Sequence, residues 1–136
     1  MIFVDTSALI ALGSQADNLH QDSIKLFDHY SQQAQLFLTT NGVLLEFMNT
    51  FGIVKLRSNG LRIINEIMNS SEWRVIIIDQ QLMELGLERF GQRMDKNWGL
   101  VDCISMIVAE QNNIRDIMTA DHHFEQAGFN CLLMQK

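Results

Sequence analysis

Three apolar residues, Ile2-Phe3-Val4, stand near the start of the chain and stop at an acid. They do not alternate with polar positions. Such a run reads as a strand buried on both faces, as in the middle of a parallel sheet. Thr6-Ser7 and the apolar stretch Ala8–Leu12 follow, a short helical run that Gly13 ends. Four further short strands are predicted over Leu36–Thr39, Trp73–Ile78, Ile117–Ala120 and Cys131–Met134. Between them, apolar residues at helical spacing predict helices from Asn18 to about Gln32, Gly42 to Leu56, Leu61 to Asn69, Gln80 to Met94 and Leu100 to Ala109. A last short helix starts at His122 and stops at Gly128. Ser58-Asn59-Gly60 reads as a turn, and Asp79 as the cap of the helix behind it. Strand and helix alternate throughout, so the fold class is α/β. Its centre is a mostly parallel five-stranded sheet with helices on both faces.

A chain of 136 residues, 47% hydrophobic and 19% charged, has the size and composition of one globular domain spanning 1–136. No apolar run is long enough to cross a bilayer. The N-terminus lacks the basic flank and small-residue cleavage site of a signal peptide, which makes a cytoplasmic location the expectation. Cys103 and Cys131 sit in apolar runs without metal-ligand spacing and read as reduced core thiols. The net charge of −6 argues against broad electrostatic adhesion to nucleic acid. It leaves room for a nucleic-acid enzyme whose acids surround a metal, and for a basic partner.

The acids therefore carry the interest. Asp5 and Asp121 each end a predicted strand, and in a parallel sheet both arrive at the same edge, where α/β folds bind ligands. Capping the following helix is the other reading of Asp5. Glu46 stands among Val43, Leu44, Leu45, Phe47 and Met48. It either lines a narrow solvent stripe with Asn49 or faces that edge. Asp102 interrupts a helix apolar almost all round, and Ser105 shares its face. Four carboxylates that converge within a few ångströms repel by about 4 kcal/mol per close pair at an effective dielectric near 20. A cation, or protonation, must relieve that. All-oxygen ligation selects Mg²⁺ or Mn²⁺. The chemistry that follows is metal-assisted phosphodiester hydrolysis, with Thr6 and Thr119 as hydroxyls that orient the carboxylates or contact phosphate.

Other chemistries find little support. No glycine-rich phosphate loop and no G-x-S-x-G elbow is present. Lys55, Arg57 and Arg62, around the predicted turn, read as solvated more than as phosphate contacts. Adjacent histidines at a helix start seldom co-ligate, so His122-His123 do not suggest a transition-metal site. Phosphotransfer through Asp5 lacks a second acid, since position 7 is serine. A binding module that holds RNA or a protein without cutting is the main alternative.

Three stretches, Ile2–Ala11, Trp98–Ser105 and Met118–Phe129, resemble PIN-domain proteins, in particular the VapC-like toxins of type II toxin–antitoxin systems. Their order and spacing fit across nearly the whole chain. Glu46 matches the family's second acid by position more than by motif. The resemblance implies a three-layer α/β/α sandwich and an Mg²⁺- or Mn²⁺-dependent endoribonuclease. It implies Asp5, Glu46, Asp102 and Asp121 as catalytic and metal-holding residues; Thr6, Ser105 and Thr119 are placed behind them by the reading of the residues alone. It further implies a homodimer and a cognate antitoxin that inserts a segment near the site.

Overall fold

The computed structural model describes residues 1–135. Five strands form one all-parallel sheet: β1 (Ile2–Val4), β2 (Phe37–Thr40), β3 (Trp73–Ile76), β4 (Asp116–Met118) and β5 (Asn130–Cys131), in the order β3-β2-β1-β4-β5. Ile2, Phe3 and Val4 lie in the middle with no more than 2% exposure, which is why that segment carries no polar residue. The chain leaves β1 toward β2 on one side and reaches β4 only later, on the other. This order puts a topological switch point at the carboxyl ends of β1 and β4, the place where open α/β sheets form a crevice.

Seven helices cover the sheet: α1 (Thr6–Gly13), α2 (His20–Gln32), α3 (Asn41–Thr50), α4 (Val54–Asn69), α5 (Gln80–Gln92), α6 (Leu100–Gln111) and α7 (His122–Gln126). The architecture is the α/β fold read from the sequence. Helix α1 packs against α2, α3 and α4, and α5 packs on α6. Phe47 and Phe51, with ring centroids 4.5 Å apart, anchor the core under α3. The buried run Cys103–Ala109 seats α6. Both cysteines are free and buried. No helix among the described residues is long and apolar enough to cross a membrane.

Several boundaries differ from the sequence reading. Strand β4 covers Asp116–Met118 and stops short of Thr119 and Ala120, so Asp121 stands beyond its end as the cap of α7. The helix begun at Asn41 ends at Thr50, and α4 then runs straight through Ser58-Asn59-Gly60. Gly60 is no turn residue. A Cβ there would stand 3.1 Å from both Met48 Sδ and Phe51 Cβ, so the glycine lets α4 approach α3. Asn59 donates its side-chain amide to the Gly13 carbonyl at 2.6 Å. Lys55, Arg57 and Arg62 consequently lie on a helix surface, exposed. Strand β3 stops at Ile76, because the next pairing goes elsewhere: Ile78 N–H donates to Asn41 Oδ1 at 2.9 Å. The last strand shrinks to two residues, and Leu132–Met134 coil into a 3₁₀ turn.

Among the glycines, an added Cβ would be most crowded at Gly86 on α5, where it would meet Ile104 Cγ1 of α6 at 2.4 Å. Ile104 is core, with 2% exposure, and has nowhere to retreat. Gly86→Val is therefore expected to destabilise the fold by on the order of 2 kcal/mol or more through overpacking. A urea unfolding midpoint unchanged from wild type would contradict that packing.

Candidate active site

The first acid sits at the end of the central strand. Asp5 is 3% exposed and is the N-cap of α1, so the capping and site readings of the sequence coexist in one side chain. Its Oδ2 accepts from Thr119 Oγ1 at 2.9 Å and from Ser7 Oγ at 3.2 Å. The two hydroxyls lie 3.0 Å apart. Each is itself fixed by a backbone donor: Ala120 N–H to Ser7 Oγ at 3.0 Å, and Asp121 N–H to Thr119 Oγ1 at 2.9 Å. With its accepting side engaged by an amide, each hydroxyl directs its single proton into the triangle that ends on Asp5. This network stitches the end of β1 to the end of β4. Asp5 also donates its backbone N–H to the Met118 carbonyl at 3.1 Å.

Glu46 projects from the second turn of α3 and accepts from Thr6 Oγ1 at 2.7 Å. Its residue is exposed along the helix, as in the stripe reading, yet its carboxylate is half-buried and tied to the residue next to Asp5. Asp102 lies in the first turn of α6, and its Oδ2 accepts the Gly99 backbone N–H at 3.1 Å. Asp121 caps α7 by accepting the His123 backbone N–H at 2.9 Å. Capping thus fixes the direction of three of the four acids.

Their charges act on one another. Burial, and then the neighbouring Asp102 and Asp121 charges, push the Asp5 carboxyl up to about 6. Glu46 is raised by burial and by the same two charges, and Asp102 by burial and by Asp121. The acids converge as the sheet topology requires, although the four do not close into a knot of directly touching oxygens. The set whose ligand atoms lie within 4.8 Å of one another is Asp121, His122 and His123.

The sequence reading set the two histidines aside and missed their place beside the acids. His123 Nδ1 lies 3.2 Å from Asp102 Oδ2 and 3.3 Å from Asp121 Oδ1, between two of the acids. The signal was present in the sequence, because a residue two after a strand-final acid falls in the first turn of the next helix and faces the same edge. Ser7 is the second miss: Ser7, not Thr6, touches Asp5. In the other direction, Ser105 does not hold Asp102. Its Oγ is fully buried and makes no hydrogen bond, since position 105 belongs to the inward run of α6.

The donor set fits a divalent cation. Carboxylate oxygens with raised proton affinity, crowded by each other's charge, are the ligands hard ions take, and cation binding relieves the repulsion. Asp5, Glu46, Asp102 and Asp121 are the residues that could hold it.

The comparisons agree with this architecture. The model of the PIN-domain family matches residues 2–130. Among solved structures, the chain is similar to Mycobacterium tuberculosis VapC20, described as a sarcin–ricin loop cleaving toxin. The two share 26% identity at a TM-score of 0.84, over 95% of this chain and 96% of that one. It is also similar in fold to FitAcB from Neisseria gonorrhoeae, with 14% identity, a TM-score of 0.67 and 96% of each chain covered. A search of curated proteins gave no match. With a family model that spans nearly its whole length and acids gathered at its switch point, the chain is a VapC-like member of the PIN-domain family.

Proposed function

We propose that this protein is a metal-dependent endoribonuclease that hydrolyses RNA phosphodiester bonds, acting as the toxin of a toxin–antitoxin pair and as a single nuclease unit over 1–136. The observation that carries the reading is the gathering of carboxylates at the switch point of the sheet, where burial first, and then the charges of Asp102 and Asp121, raise Asp5 and Glu46, and burial with Asp121 raises Asp102. Mg²⁺ or Mn²⁺, when bound, supplies an activated water and offsets charge on the phosphate oxygens. The chain's own residues do the rest. The Ser7–Thr119 pair holds Asp5 in one orientation, and Thr6 holds Glu46. Asp102, whose carboxyl is raised above its ordinary range, is suited to take a proton from the attacking water. Likeness to VapC20, a sarcin–ricin loop cleaving toxin, supports RNA as the substrate class. An acidic chain with a carboxylate-lined site suits a basic antitoxin segment. A cytoplasmic homodimer is the form in which we propose it acts.

Incubation of the purified protein with a mixed RNA pool tests this. Fragments are expected with Mg²⁺ or Mn²⁺ and not with chelator. RNA binding without cleavage, unaltered when the acids are neutralised, would replace the nuclease with a binding module. Ser7→Ala removes one of the two hydroxyls on Asp5. It is expected to weaken divalent-ion affinity or cleavage by about 10–100-fold, the usual range for groups that support metal ligands. Ion titration by calorimetry and initial rates would report it.

A further inference from the structure

The imidazoles beside the acids do not belong to a hard-ion site. Mg²⁺ takes oxygen ligands at octahedral angles, which spaces neighbouring ligand atoms by about 2.9 Å. Tetrahedral Zn²⁺, with ligand bonds of about 2.0–2.2 Å, spaces them by about 3.3 Å and readily takes histidine nitrogen. His123 Nδ1 lies 3.2 Å from Asp102 Oδ2 and 3.3 Å from Asp121 Oδ1. His122 Nδ1 lies 3.8 Å from the same Asp121 oxygen, so a small movement of an exposed ring brings in a third ligand beside Asp121 and His123. The ligand atoms of Asp121, His122 and His123 are all within 4.8 Å of one another.

We propose that Asp121, His122 and His123 form a mixed carboxylate–imidazole subsite that selects Zn²⁺ over Mg²⁺ and leaves the fourth tetrahedral position to water. Against the carboxylates, His123 Nδ1 serves as a donor, since an ionised carboxylate only accepts. On ligation the metal–nitrogen bond replaces that hydrogen bond, and the ring keeps its one proton on Nε2. Asp102, the hydrogen-bond partner of His123, borders the subsite. One ligand, Asp121, is shared with the proposed hydrolytic set, so Zn²⁺ in the subsite competes with the hard ion for it. The proposal rests on the reading of Asp121 as a cation ligand, but not on RNA cleavage.

The test uses the full-length protein and no RNA. Co²⁺, a coloured substitute for Zn²⁺, absorbs visible light strongly in tetrahedral sites and weakly in octahedral ones. Titration with Co²⁺ is expected to give the intense tetrahedral bands, bleached stoichiometrically by Zn²⁺. His123→Ala is expected to lower Zn²⁺ affinity by at least about tenfold, without lowering Mg²⁺ affinity. His122→Ala changes an exposed residue, so it tests the third ligand where folding is not at stake; its Co²⁺ bands should weaken and shift. Weak octahedral bands in the wild type, or Zn²⁺ affinity unaltered by both substitutions, would overturn the subsite. A protein that fails to cut RNA yet shows the tetrahedral spectrum would sink the nuclease reading and leave this one standing.

Discussion

Asp102→Asn loses RNA cleavage by at least about 10³-fold, roughly 4 kcal/mol of transition-state stabilisation, while the protein stays folded. The size follows from the role. Replacing a charged ligand by a neutral amide weakens the hold on a divalent ion and removes the group suited to accept a proton, and groups aimed at developing charge each contribute on this scale. Retention of the fold follows from the local geometry. The carboxylate accepts the Gly99 N–H at 3.1 Å, and an asparagine carbonyl oxygen in the same place accepts it equally. Asp95→Asn is the control. Asp95 is an exposed loop acid paired with Arg93 at 3.1 Å, and its loss should leave the rate unchanged. Single-turnover rates on one RNA, with circular dichroism of each variant, decide the matter. Full metal-dependent activity in Asp102→Asn would remove the acid from the mechanism.

The outline of this site was legible because it depends on strand ends. Asp5 follows a run that reads as a strand buried on both faces, Asp121 follows the short strand that pairs beside it, and parallel pairing then delivers both to one edge. Asp102 was legible because an acid in the first turn of a buried helix needs a reason beyond capping. What could not be read is everything set by side-chain rotation in the first turn of a helix. Thr6 and Ser7 are adjacent, and the sequence does not say which hydroxyl turns toward Asp5. The structure assigns Ser7 to Asp5 and Thr6 to Glu46, across 40 residues. His123 likewise meets Asp102 only because α7 lies against α6. Gly60 misled for a related reason. A glycine in Ser58-Asn59-Gly60 signals a turn when only local propensity is weighed. Here its missing Cβ serves contact with Phe51, a tertiary demand that local propensity cannot register.

Asp5→Asn should make the protein more stable at neutral pH, and the gain should vanish in acid. The Asp5 carboxyl titrates near 6 in the folded chain, against 3.8 ordinarily, because it is buried and flanked by Asp102 and Asp121. Folding therefore favours its protonated form. Below about pH 4 the group is protonated folded and unfolded alike, and costs nothing. Between about pH 4 and 6 the unfolded chain releases the proton first, so stability falls as pH rises. Above about pH 6 the full cost of holding a buried charge is present, about 3 kcal/mol at 1.36 kcal/mol per pKa unit. Asparagine has no such charge. It keeps one acceptor oxygen for the Ser7–Thr119 pair, but its amide group must find an acceptor, which trims the gain to about 2 kcal/mol. The difference in urea-unfolding free energy between variant and wild type, followed from pH 4 to 7.5, isolates this one group, because the exposed acids cancel. A divalent ion supplies the second half of the test. At 100 times its dissociation constant it should stabilise the wild type by about 2.7 kcal/mol, and the variant, which lacks a ligand charge, by much less. The ion should then erase or reverse the variant's advantage. A difference curve that is flat across pH 4 to 6 would show that Asp5 bears no unfavourable charge, and with it would go the electrostatic reason for a cation at this edge of the sheet.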